Sequence, residues 1–126
     1  MTEATIKLTQ RMLDKSEINA NKTVKQFMWD DFGMKYTDPF FEVGNKLTVF
    51  GEYIDGEEAD INFFRRSGRG DTMLSIQKLK HYADAGDMVI LRSDSESDGD
   101  GTEIYISVFR PVADSIYEEK TNDTLA

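Results

Sequence analysis

The chain has 126 residues, no cysteine, 39% hydrophobic residues, and 15 Lys+Arg against 24 Asp+Glu, a formal net charge of -9. This length fits a single domain that can bury a core without staples, and the missing cysteines exclude disulfides, thiolate metal sites and cysteine nucleophiles. The acid excess excludes indiscriminate phosphate binding by the whole surface; with no apolar run near the roughly 20 residues of a membrane span and no apolar signal region in MTEATIKLTQ, a cytoplasmic protein without a membrane partner is expected.

Ile6–Leu13 alternates weakly and opens a strand. Asp14–Lys25 (DKSEINANKTVK) is polar and reads as a loop. Val24–Met34 (VKQFMWDDFGM) fits periods of two and 3.6 in part, and is expected as a strand running into a short helical turn. Asp38-Pro39 marks a turn. Lys46–Ile54 alternates as a strand, Asp55-Gly56 is a hairpin turn, and Ala59–Arg65 is the second strand. A turn at Ser67–Gly70 leads to a third strand, Thr72–Ile76. Lys78–Asp84 is a short helical segment closed by Ala85-Gly86-Asp87, and Met88–Arg92 is a compact β-rich run. Asp94–Thr102 is an exposed turn. Glu103–Arg110 alternates cleanly, with Ile104, Ile106 and Val108 on one side and Tyr105, Ser107 and Phe109 on the other. The expected fold is mainly β, about six or seven short strands at barrel or sandwich spacing with one or two short helices. Residues 1–112 form its single domain, and 113–126 an acidic, flexible tail.

Little here points to catalysis. Asp94, Glu96, Asp98 and Gly99 match the start of a calcium loop, but its twelfth position is Tyr105 where a bidentate Glu is required. The stretch reads as a solvated hairpin turn whose charges discourage edge pairing. Gly68–Asp71 (GRGD) contains an adhesion tripeptide too short to carry meaning. His81 is the only histidine, and Asp30-Asp31 diverge on a strand or a helix. With no P-loop, nucleophile elbow or paired-His motif, no enzyme, metal or cofactor is expected.

The basic residues are unevenly placed. Ile61–Ser93 has six Lys and Arg against three Asp, a net +3, while the other nine bases and 21 acids give -12. Arg65, Arg66 and Arg69 fall in one glycine-containing stretch between two strands. Such an arm can enter a DNA major groove, where Arg forks match guanine O6/N7 and Asp71 can accept from cytosine N4. Ser67 and Thr72 can hold phosphates.

FFRRSGRGDTMLSI, the helical KLKHYAD, the turn-strand AGDMVILRS and the last strand EIYISVF follow one another in an order that resembles the DNA-binding pseudobarrel. That fold is shared by the effector (specificity) domains of EcoRII-type restriction endonucleases and by plant-type transcription-factor domains. The resemblance covers most of Lys46–Arg110. It extends more faintly to MLDKSEINANKTVKQF, where Lys25 stands in place of the family's His. It implies a small open pseudobarrel of about six or seven strands, with two arms that clamp double-stranded DNA without a cofactor. The N-terminal arm would use Asn19, Asn21, Lys22, Thr23, Lys25 and Gln26. The C-terminal arm would use Arg65, Arg66, Ser67, Arg69, Asp71 and Thr72. A nuclease centre is not visible, so the chain would be a restriction-type specificity module.

A second reading comes from the acids. Asp30, Asp31, Asp38, Glu42, Glu52, Asp55, Glu57, Glu58 and Asp60 run along the chain, and more follow at Asp94–Glu103. Spaced like backbone phosphates, they would let a phage or bacterial anti-defence inhibitor imitate DNA and bind a basic nucleic-acid-binding protein. A third is an oligomer or virion component whose Phe-rich strands meet a partner.

Overall fold

The computed structural model describes residues 3–32, 46–65, 72–93 and 104–120, with backbone alone at 28–32, 46–47 and 65. The elements are β1 (Glu3–Lys7), α1 (Gln10–Lys15), β2 (Ile18–Asn19), α2 (Lys22–Phe32), β3 (Lys46–Tyr53), β4 (Glu58–Arg65), β5 (Thr72–Ile76), β6 (Met88–Ser93), β7 (Ile104–Ala113) and β8 (Ile116–Glu119). A 3-10 turn, Leu79–His81, lies between β5 and β6. The strands make one curled open sheet in the order β1-β6-β7-β3-β4-β5-β2, with β8 added to β7. This is a mainly β half-barrel with two short helices, the class read from the sequence.

Alternation sets the buried face. Val89 and Leu91 of β6 and Ile104, Ile106 and Val108 of β7 point inward, opposite Ile61 and Phe63 of β4. Each fully buried side chain of this size stabilises the fold by about 1.5–3 kcal/mol relative to exposure. Gly51 of β3 faces the same core. A Cβ there would lie 2.9 Å from both Ile61 Cδ1 and Ile106 Cδ1, so glycine lets side chains of β4 and β7 meet across β3. Gly56 has φ +85° in the β3–β4 turn, which suits the expected Asp55-Gly56 hairpin.

Two expectations need correction in the N-terminal third. The segment read as a loop, 14–25, holds the end of α1, all of β2 and the first turn of α2. The strand expected from Val24 is helix instead, because Val24 and Phe27 are three apart and both wholly buried on one helix face. The polar residues that resemble a loop are caps. Thr9 Oγ1 accepts from Met12 N–H at the start of α1, and Asn21 Oδ1 accepts from Val24 N–H (3.0 Å) at the start of α2.

The C-terminal boundary also differs. β7 runs on through Pro111 to Ala113, and residues 116–119, expected in the flexible tail, pair back on it as β8. Pro111 is tolerated at a register shift, between Pro111 and Ala113. Lys120 then anchors the hairpin. Its ammonium lies 2.6 Å from Asp87 and is 12% exposed, and Asp87 is buried. Asp87 also accepts from Asp84 N–H (2.8 Å), so its buried charge is satisfied by hydrogen bonds as well as by the cation.

The strand order leaves β1 and β2 at opposite edges, yet residues 8–17 carry the chain from one to the other. The sheet must curl for so short a connection to reach, and α2 then returns to β1. Ala20 N–H donates to Thr72 O of β5 (2.9 Å). One residue later, Asn21 Nδ2 donates to Thr5 O of β1 (2.8 Å). Thr23 Oγ1 accepts the Thr5 N–H (3.0 Å) and has Asn21 Oδ1 and Thr5 O as acceptors for its proton. The start of α2 therefore bridges the gap between the edges and covers the exposed peptide of β1.

Replacing Asn21 by Ala removes a helix cap and leaves the Thr5 carbonyl with the Thr23 hydroxyl as its one remaining side-chain donor. The expected loss is about 1–3 kcal/mol of unfolding free energy in urea titration. Asn21→Ser, which keeps the cap alone, should fall between. Equal stability of Asn21→Ala and the parent chain would show that the bridge does not hold the sheet.

Candidate nucleic-acid interface

The strand registers place the roots of both expected arms at one end of the sheet. β4 ends at Arg65, paired with Thr72 at the start of β5. β2 runs antiparallel to β5 and leaves the sheet at Asn19, opposite Met73. The Ala20–Thr72 hydrogen bond ties the root of the N-terminal arm to the root of the C-terminal arm. Lys46, opposite Phe64, lies at this end too, whereas Ile104, opposite Ser93, pairs with Gly51 farther along β3.

The arm residues fare differently. Asn19, Lys22, Lys25 and Gln26 are exposed, and the last three share one face of α2 at spacings of three and four. That face is opposite buried Val24 and Phe27. Asn21 and Thr23, expected as duplex contacts, are committed to capping and to β1 and belong to the closure. Thr72 is a further correction. It is 3% exposed, and among the described residues its hydroxyl has no hydrogen-bond partner, a poor position from which to hold a phosphate. Arg66, Ser67, Arg69 and Asp71 lie outside the described residues, as does the Arg65 side chain.

Electrostatics elsewhere is largely compensated. Arg92 binds Glu3 at 2.9 Å, Arg110 binds Glu118 at 3.1 Å, and Lys78 binds Glu57. Being half-exposed, such pairs contribute about 0–1 kcal/mol each, but they spend the local positive charge. Among the described residues no three His, Asp or Glu are grouped to hold a metal ion. The calcium-like acids at 94–100 are outside the described residues. No described helix is long and apolar enough to cross a membrane. No family model, curated protein or solved structure matches the chain.

The opposite end of the sheet is pinned by tyrosines that the sequence reading passed over. Tyr53 of β3 stacks on Tyr82 beyond the 3-10 turn, with ring centroids 3.8 Å apart and planes 5° from parallel. Tyr53 OH donates to Gln77 O (2.7 Å), and Tyr82 OH donates to Asp55 Oδ2 (2.7 Å) in the hairpin turn. Burial, then the bond to Asp55 and its charge, push the Tyr82 phenol up to about 12. The same bond, with Glu57 N–H, holds the Asp55 carboxyl below the usual range. Burial raises Tyr53 as well. A raised phenol stabilises the fold below its unfolded value and loses that contribution as pH rises through the folded value. A depressed carboxyl contributes above its unfolded value and loses it in acid. The clasp therefore acts between about pH 4 and pH 10.

Two measurements follow. Thr72→Val removes a buried hydroxyl with no partner while keeping its shape. It should leave stability unchanged or raise it by up to about 1 kcal/mol in urea titration. A large loss of stability would show that the hydroxyl has a partner in the folded protein. In Asp55→Asn, the Tyr82 ring-carbon NMR titration should move from about 12 toward the ordinary phenol value. An unmoved midpoint would remove Asp55 as a cause.

Proposed function

We propose that the chain binds a short double-stranded DNA site with two arms, residues 19–26 and 65–72, as the specificity module of a restriction-type system. The observation that carries this reading is the meeting of the arm roots, where Ala20 N–H donates to Thr72 O at 2.9 Å. Segments far apart in sequence thereby leave one end of a rigid half-barrel side by side. Lys22, Lys25 and Gln26 on the exposed face of α2 supply phosphate and sugar contacts. Arg65, Arg66 and Arg69 supply the guanidinium groups that read guanine in the major groove, with Asp71 accepting from cytosine. Ser67 adds a neutral phosphate donor. The acid excess then acts as a filter, repelling duplexes from every face but this one.

The test is a mobility shift on duplexes selected from a random pool. Binding should weaken with salt. Lys22→Ala with Lys25→Ala should flatten the slope by about 0.9 for each phosphate no longer neutralised. Arg65→Ala with Arg69→Ala should cost about 1–3 kcal/mol per base pair read and relax specificity at those positions. Failure to shift any duplex at about 50 mM salt, where counterion release strongly favours binding, would overturn the proposal.

A further inference from the structure

A cleft of about 370 Å³ opens away from the arms, where β2 stops pairing with β5. β2 reaches only Leu74 and Met73, so Ser75 and Ile76 have β4 on one side and the cleft on the other. Met12, Leu13, Ile18, Ile76 and Leu79 form an apolar floor. Asp60, Asn62, Ser75, Lys78, Lys80 and His81 add polar and charged groups to its lining.

Hydrogen bonds and an ion pair hold the lining in place. Gln77 is clamped three ways: its N–H donates to Asp60 O, its Oε1 accepts from Asp60 N–H, and its carbonyl accepts from Tyr53 OH. Lys78 is tied to Glu57. Thr48 Oγ1 donates to Asn62 Oδ1 (2.6 Å), which turns the amide nitrogen of Asn62 toward Ser75 at a long 3.5 Å. Ser16 and Lys78, which both line the cleft, adopt left-handed backbone, with φ 54° and 65°. Non-glycine residues keep that conformation only where their surroundings impose it.

The charges within are uncommitted. Among the described residues the Asp60 carboxylate has no ion-pair or hydrogen-bond partner, and neither Lys80 nor His81 has one for its side chain. They also do not pair with each other, although they line one cleft. An anion and two cationic or donor groups in one cleft that also has an apolar lining match a ligand charged oppositely at its two ends. The volume falls in the range of small-molecule sites.

We propose that this cleft binds a short free peptide of apolar residues, with its ammonium toward Asp60, its carboxylate toward Lys80 and His81, and its side chains on the Leu13–Ile18–Leu79 floor. The site is separate from the arms and does not rest on the DNA reading.

The test is a titration of the full chain with leucyl-leucine, followed by methyl NMR of Leu13, Ile18, Ile76 and Leu79. Saturable shifts are expected, with a Kd below about 1 mM. N-acetyl-leucyl-leucine amide, which lacks both charges, should bind more than tenfold more weakly. Asp60→Asn and Lys80→Gln should each weaken leucyl-leucine about tenfold, with the remaining methyl spectrum unmoved. No saturable shift up to about 10 mM would overturn the proposal. So would equal binding of the capped peptide, or full affinity in both variants.

Discussion

The hydrogen bonds that Asn21 and Thr23 make to the Thr5 peptide group join two edges that the strand order leaves apart. Without them β1 would present open donors and acceptors, and α2 would start without a cap. Because Ala20 is bonded to β5 in the next step of the chain, one short segment fixes the curl of the sheet, the origin of α2 and the root of an arm. The direction of Lys22, Lys25 and Gln26 follows from that closure. Residues that first read as ligand contacts thus act one layer behind the proposed interface.

The two ends of the half-barrel are built differently. One end gathers the connections that carry the cationic arm residues. The other is stiffened by the Tyr53–Tyr82 stack, the Asp55 bond and the Lys120–Asp87 pair, each locking a turn to its neighbour. A scaffold made rigid at its base can hold a recognition surface on its rim without strain passing between them.

The β-rich half was legible in the sequence because its signals are local. Alternation in β7 and the Asp55-Gly56 turn both act within a few residues. The N-terminal helices were less legible, because capping selects the polar residues, Thr9 and Asn21, that also populate loops. The sign that would have separated the cases is Asn21 followed by Val24 and Phe27, a cap ahead of a helical apolar face. The burial of Thr72 was not legible at all. In β5 Thr72, Met73 and Leu74 are all buried, so alternation is silent about which way any of them points. Nor does composition disclose a cleft formed where one strand stops short of its neighbour.

The pairing of β1 with β6 carries one more consequence. Glu3 and Arg92, bonded across the sheet, are 89 residues apart in the chain. A nascent chain emerging from the ribosome therefore waits, with this strand unpaired, until Arg92 has been synthesised. Slow, non-local assembly of this kind leaves apolar strands open to association in the interval. Abundant negative charge along the emerging chain keeps such intermediates apart.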